Sequence, residues 1–410
     1  MPLLSWRMLM GRSSPAEFDS PRAWIVVVAA FFSSFTVFGI AYSFGAFFKP
    51  MAAEFGAGAG ATSAVFSITA FVYFLLGSVT GHLADRFGPR PVVAAGGVIL
   101  GVGLMLTSLI DRLWLGYLTY GAGVGIGVAC GYVPMLAAVG GWFRRHRNMA
   151  LGIAVAGVGA GILTVAPLAG ELIRRYGWRA TYATLGVAGA AILLACAATT
   201  PRPPLAAGAS IPKLGEALRT RSFALLYTAS LLTSTALYVP FVFLPAFAHN
   251  RGAGQVAAAA LVGLIGGASI VGRLGLATLA DRFGVIRLYQ LSFLTLGLSY
   301  GLWLGANSYG WLVVFTVVMG LGYGGYVGLS PAVTAEFFGI QGLGRVLGTF
   351  YTSAGFGALI GPPLAGVIID HTGSYTWAIV MAFAMAMAAF CALLPLQAHR
   401  VTKIHVPEID

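Results

Sequence analysis

The sequence predicts an all-α membrane protein of twelve transmembrane helices arranged as two six-helix halves, and three observations carry that expectation. Of its 410 residues, 58% are hydrophobic and 9% charged, and the mean hydropathy is +0.87. Apolar stretches of membrane-spanning length follow one another, separated by charged or Gly- and Pro-rich breaks. Two unrelated short peptides also recur at one common spacing.

The composition is decisive by itself. A soluble domain runs about 45–50% apolar and about 25% charged, so this chain has too little charge to coat a water-facing surface. That excludes a cytosolic enzyme, a nucleic-acid-binding domain and a disordered chain. The net charge of +12, from 24 basic and 12 acidic residues, needs another explanation than a nucleic-acid partner. Cys130, Cys196 and Cys391 are an odd number scattered through apolar stretches. They offer neither a disulfide framework nor metal spacing, and no cofactor is expected.

A helix needs about 20 apolar residues to cross a hydrocarbon core of roughly 30 Å. The breaks define spans near 24–48, 62–84, 91–109, 114–140, 149–172, 178–198, 223–248, 256–280, 286–306, 309–335, 345–369 and 374–396. Helices are the expected element, because continuous apolar runs lack the alternation of a barrel strand. Residues 1–23 carry Arg7, Arg12 and Arg22 and no cleavable signal pattern, which makes the first span an uncleaved anchor. Residues 199–222 hold Pro201-Arg202-Pro203-Pro204 and then Lys213, Arg219 and Arg221. They form the natural cytoplasmic linker between an N-terminal half, 1–198, and a C-terminal half with a short cytoplasmic tail, 223–410.

Orientation follows from the basic residues. With the N-terminus in the cytoplasm, 17 fall inside: Arg7, Arg12, Arg22, Arg86, Arg90, Arg144, Arg145, Arg147, Arg202, Lys213, Arg219, Arg221, Arg282, Arg287, Arg345, Arg400 and Lys403. Six fall outside: Lys49, Arg112, Arg174, Arg175, Arg179 and Arg251. The excess puts both termini in the cytoplasm and makes the positive charge mainly a topology signal. Contact with membrane lipids is a secondary consequence.

Ala84-Asp85-Arg86-Phe87-Gly88 returns as Ala280-Asp281-Arg282-Phe283-Gly284, an offset of 196 residues. Pro167-Leu168-Ala169-Gly170 returns as Pro363-Leu364-Ala365-Gly366 at the same offset. Duplicated parallel halves place a substrate site near the bilayer midplane, exposed alternately as one half rocks on the other. Here the chain resembles the major facilitator superfamily, whose loop signature after the second helix reads Gly81-His82-Leu83-Ala84-Asp85-Arg86-Phe87-Gly88-Pro89-Arg90. A second copy spans Gly275 to Arg287. The resemblance implies the major facilitator fold. It also implies a cytoplasmic gate built from Asp85, Arg86, Arg90, Asp281, Arg282 and Arg287, whose acids take arginine or helix-terminus partners in one state and release them in the other.

Every acidic residue and every histidine falls in a tail, a loop or at a helix end, and one base remains inside a span: Arg273. It lies eight positions before Asp281, about 12 Å along the helix and so near the middle of the core. An arginine there costs at least about 2.5–3.5 kcal/mol unless it meets water or an anion. With no intramembrane carboxylate to answer it, an external anion is the expected partner, gripped by two parallel hydrogen bonds. The alternative is a side chain that snorkels or braces helix-end carbonyls. Its repeat counterpart is Gly77, and a feature present in one half alone fits substrate contact better than scaffolding.

Trp142-Phe143-Arg144-Arg145-His146-Arg147-Asn148-Met149-Ala150-Leu151-Gly152-Ile153-Ala154-Val155-Ala156-Gly157 is similar to the monocarboxylate transporter signature leading into the fifth helix. Gly361-Pro362-Pro363-Leu364-Ala365-Gly366 is similar to that family's eleventh helix. The resemblance implies a bacterial homologue of the lactate and pyruvate carriers, with Arg273 at the position of the family's substrate arginine. Two departures stand out: Ser269 replaces the family's eighth-helix Asp, and Tyr42 its first-helix Lys. The substrate carboxylate itself is then the expected proton carrier, and exchange of loaded carriers is the rival mechanism.

A small acid calls for a small, largely apolar or aromatic cavity around one charged anchor. Tyr120 on the fourth helix, Tyr323 and Tyr326 on the tenth and Phe356 on the eleventh are the candidate walls, and Ser269 stands one turn from Arg273 to orient it. Gly320-Leu321-Gly322-Tyr323-Gly324-Gly325 fits a nucleotide-loop pattern but lies inside a span and follows no strand, so it reads as a packing run. No hydrolase motif occurs. The expectation is a non-enzymatic, monomeric secondary transporter of the bacterial inner membrane. It would move short monocarboxylates such as L-lactate or pyruvate with a proton. A carboxylate exchanger of the oxalate/formate type and a transporter-like carboxylate sensor are the alternatives.

Overall fold

A computed structural model describes residues 18–143, 145–203, 218–338 and 343–396. The first six helices are α1 (Pro21–Phe55, with a turn at Ser43), α2 (Ala59–Phe87), α3 (Pro89–Thr107), α4 (Leu113–Trp142), α5 (147–176) and α6 (178–199). The last six are α7 (Arg221–Asn250), α8 (Gln255–Phe283), α9 (Val285–Leu304), α10 (Tyr309–Phe338), α11 (Leu343–Thr372) and α12 (Thr376–Leu393). There is no strand among the described residues. Ten segments are long and apolar enough to cross a membrane; one, Met149–Thr199, holds both α5 and α6. The 20-residue α9 falls outside that set and completes the twelve.

Local chemistry sets the ends. The Ser20 side chain accepts from the Ala23 N–H, with Pro21 at the first helical position, and Thr220 caps α7 by accepting from Phe223 N at 3.1 Å. α2 stops at Gly88 (φ 90°) and α8 at its repeat counterpart Gly284 (φ 86°), a backbone conformation that side chains resist. Gly177 (φ 80°) lets α5 reverse into α6 with no intervening loop.

The repeat is visible in the packing. A Cβ on Gly161 of α5 would lie 2.1 Å from the Phe35 carbonyl of α1, and one on Gly357 of α11 would lie 2.7 Å from the Leu231 carbonyl of α7. Both residues of the second pair stand 196 positions after those of the first. Gly157 likewise abuts the Phe31 carbonyl, so the small residues after the basic cluster bring α5 onto α1.

The two halves meet mainly through α2 against α11 and α5 against α8. At one end they are pressed together. A Cβ on Gly366 would sit 2.5 Å from the Gly60 nitrogen, Phe48 and Phe243 rings pack 5.0 Å apart, and Lys49 bonds Asn250. At the other, more open end the contact is looser: a Cβ on Gly348 of α11 would come only into ordinary contact with Ser78 of α2, at 3.9 Å, and a Cβ on Gly152 of α5 would meet nothing within 4 Å.

Charges segregate between these ends. At the closed end Glu54 accepts from Trp178 (2.5 Å) and Arg179 (2.7 Å), and Glu171 pairs with Arg174 and Arg175. Arg86, Arg90, Arg202, Arg282 and Arg287 gather at the open end. Arg7, Arg12, Arg144, Lys213, Arg400 and Lys403 lie outside the described residues, as do the side chains of Arg147, Asp281 and Arg345.

Candidate functional site

The α8–α10 contact at Arg273 is built from glycines. A Cβ on Gly324 would fall 2.2 Å from the Ser269 carbonyl, and one on Gly328 would fall 3.4 Å from Arg273 Cγ. The glycine run of α10 is thus a docking surface for α8. Arg273 is 7% exposed. Its Nη1 donates to the Val155 carbonyl of α5, across the half interface, at 3.2 Å, and its Cζ stands 5.4 Å from the centre of the Tyr323 ring. Its Nε has no hydrogen-bond partner, and no carboxylate pairs with it among the described residues. A buried cation so poorly answered is costly unless an anion joins it.

Around this guanidinium the halves contribute a cluster of tyrosines. Tyr42 of α1 shares a hydrogen bond with Tyr73 of α2 (3.3 Å), and Tyr238 of α7 and Tyr323 of α10 stand close to this pair. The Tyr42 ring lies 6.2 Å from that of Tyr238 and 4.5 Å from Phe241, and Phe241 is 5.8 Å from Tyr323. Tyr132 of α4 and Tyr351 of α11 lie near Arg273. The Tyr326 hydroxyl meets Ser230 at 2.8 Å and Ser234 at 3.4 Å, and Ser353 donates to Ser230 at 2.7 Å. Arg273 thus has Tyr323 against it, with Tyr132 and Tyr351 near, and phenols and small hydroxyls of both halves lie further along the same core; groups of this kind can hold a small anion and read its oxygen substituents.

The residues singled out in the sequence are distributed unevenly. Arg273 and Tyr323 are in contact, and Tyr326 lies beside Tyr323 in the hydroxyl cluster. Ser269 is fully buried but donates to its own helix at Gly266 (2.7 Å) rather than to Arg273. Tyr120 stands elsewhere in the first half, where its hydroxyl reaches the Ile40 and Ala41 carbonyls at 3.3 Å and its ring packs on Phe44 and Tyr182. Phe356 is 42% exposed and packs on Phe71. Tyr73, Tyr132, Tyr238, Tyr351 and the serines of α7 and α11 are the members that sequence reasoning missed. The repeat offset from Tyr42 points to Tyr238; the others leave no trace in the sequence pattern.

The chain matches the description Major Facilitator Superfamily over residues 29–291 and again over 274–405. It belongs to that superfamily. Its similarity to monocarboxylate transporter 13 of Bos taurus is 33% identity over 386 residues, covering 92% of this chain and 90% of the relative. Monocarboxylate transporter 3 of Rattus norvegicus is 30% identical over 389 residues, covering 89% and 79%. Within the superfamily the chain is therefore a member of the monocarboxylate transporter family, a multi-pass membrane transporter and not an enzyme. Among solved structures, a mutant of the nucleoside transporter NupG superimposes with a TM-score of 0.74 at 15% identity, covering 91% of this chain and 99% of that one. A bacterial homologue of the human lysosomal transporter Spinster gives 0.73 at 16%, covering 91% and 96%. At that identity they establish the superfamily's fold.

The superfamily's loop motif lies at the open end. Asp85 and Arg86 are exposed, and their carbonyls accept from Arg202 at 3.0 and 3.2 Å. Arg90 donates to the Ala197 and Ala198 carbonyls at the end of α6 (3.2 and 2.6 Å), where a cation meets the helix's negative pole. Arg86 and Arg282 each lie over the following phenylalanine, at 5.2 and 5.4 Å, and Arg287 is exposed. The Asp85 side chain forms no ion pair among the described residues.

Proposed function

We propose that this chain is a secondary transporter of short monocarboxylates such as L-lactate or pyruvate. The observation that carries the reading is Arg273: a buried guanidinium between the halves, with an unbonded Nε, a single carbonyl contact across the interface and no carboxylate. A monoanion supplies the missing charge and accepts two parallel N–H bonds, and the phenols of Tyr42, Tyr73, Tyr238 and Tyr323 receive its remaining oxygens. The relatives' names support the substrate class.

Transport proceeds by alternating access, with residues 199–222 linking two bodies, 1–198 and 223–410, that rock about the site. The parted end, rich in arginine, faces the cytoplasm of a bacterial inner membrane, and both termini lie on that side. One chain encloses a complete site, so the working unit is the monomer. No acid stands in the cluster among the described residues to take a proton. The bound carboxylate therefore takes it, O–H bond formation discharges the ion pair with Arg273, and the neutral acid leaves. Gate residues Asp85, Arg86, Arg90, Asp281, Arg282 and Arg287 engage when this end closes.

The test is radiolabelled L-lactate uptake into proteoliposomes with and without an imposed pH gradient. Uptake that rises with an inward proton gradient and is lost in Arg273→Gln is the expected result. Lactate-for-lactate exchange indifferent to the gradient assigns exchange instead, and lactate binding without flux assigns a sensor.

A further inference from the structure

At the closed end a carboxylate of one half caps a helix of the other. Asp370 of α11 accepts from the Ala59 N–H at 2.7 Å and from the Gly60 N–H at 3.0 Å, the first residues of α2. α2 has no cap of its own: the residue before it is Gly58, with no side chain to accept from the free first-turn donors. The position of Asp370 makes sense only across the interface. It lies in the last turn of α11, at that helix's negative pole, where an acid is disfavoured, and it faces the positive pole of α2, where an acid is favoured.

The surroundings are shaped to admit it. A Cβ on Gly58 would lie 2.6 Å from Asp370 Oδ2, and Gly60 and Gly366 let the two backbones approach closely just inside. The contact has no repeat counterpart. The residue 196 positions earlier is Arg174, which bonds Glu171 of its own helix, and the N-terminus of α8, opposite α5, has Gly254 before it and no side-chain cap.

We propose that Asp370 is the latch that holds this end of the transporter shut, and that release of its two bonds to Ala59 and Gly60 is an obligatory step when this end opens. The proposal rests on the alternating-access reading above. The latch belongs to the state in which the Arg273 site communicates with the opposite end. Opening exchanges both bonds for water, so the carboxylate sets the ratio of the two states without touching the cargo.

The experiment is pulsed electron spin resonance between labels at Ala53→Cys and Asn307→Cys, exposed positions at the closed end of the two halves, in full-length protein lacking its three native cysteines. Asp370→Ala removes the acceptor; it is expected to move the population toward longer distances by roughly fivefold, the worth of an N-cap. Asp370→Glu is expected to retain part of the short-distance population, and Arg174→Gln to leave it unchanged. The proposal is overturned if Asp370→Ala leaves the distance distribution unchanged, or if Arg174→Gln shifts it equally. Wild-type L-lactate flux in the same vesicles is read separately. A shift in distance without lactate flux upholds the latch and overturns the substrate reading; flux without a shift does the reverse.

Discussion

Tyr42 and Tyr238 occupy equivalent positions of the two halves, 196 residues apart, and their rings face each other at 6.2 Å with 37° between their planes. Residues so related lie about the axis on which the halves are superimposed, where the proposed rocking would move atoms least. Both belong to the hydroxyl cluster that reaches Arg273 through Tyr323. Tyr42→Phe removes the hydroxyl that bonds Tyr73 and is expected to raise the KM for L-lactate about threefold to tenfold, the worth of one hydrogen bond. Its melting temperature in detergent should stay near wild type.

Tyr120→Phe makes the opposite separation. Its hydroxyl holds the Ile40 and Ala41 carbonyls, away from Arg273. The substitution is expected to cost about 1 kcal/mol of stability, seen as a lower unfolding midpoint, with the KM unchanged.

Arg273→Gln and Arg273→Lys should differ. Glutamine removes the charge and is expected to abolish saturable L-lactate uptake. Lysine keeps the charge but loses the planar fork and the stacking on Tyr323, so uptake falls at least about tenfold. Both readings come from initial rates in proteoliposomes, with tryptophan fluorescence confirming the fold.

Gly324→Ala tests the close approach of α10 to α8. A Cβ 2.2 Å from the Ser269 carbonyl forces the helices apart, with an expected loss of about 1–3 kcal/mol. Because Arg273 rides on that contact, KM and thermal midpoint should worsen together.

Asp85→Asn examines the loop motif. The Asp85 side chain is exposed and makes no ion pair among the described residues, so the melting temperature of this state should be unaltered. If the gate forms only when the open end closes, net L-lactate flux should fall while equilibrium binding stays constant, measured by isothermal titration.

The repeated loop and the apolar spans were enough to read the architecture, because membrane insertion writes itself into hydropathy and duplication into spacing. Arg273 was legible for the same reason: a lone charge in hydrocarbon contrasts with everything near it. The rest of the cluster was not. Tyr73, Tyr132 and Tyr351 are aromatic residues in aromatic-rich helices, and whether a phenol faces the interface, a neighbouring helix or lipid depends on helix rotation that composition does not encode. Tyr120 and Phe356 illustrate this: one binds carbonyls of α1, and the other is 42% exposed. Ser269 shows a second limit, since its hydroxyl is spent on its own helix.

The glycine joint at Gly177 has a mechanical consequence. α5 lies on α8 of the opposite half, α6 lies on α3, and a single residue separates them. Glu171 grips Arg174 and Arg175 just before the joint, and Trp178 and Arg179 grip Glu54 just after it. With no slack in the chain and the start of α6 held to Glu54, a displacement of the end of α5 would have to carry α6 with it. Lengthening this joint by a few flexible residues would decouple drive from load, leaving a bundle that folds and binds but turns over slowly.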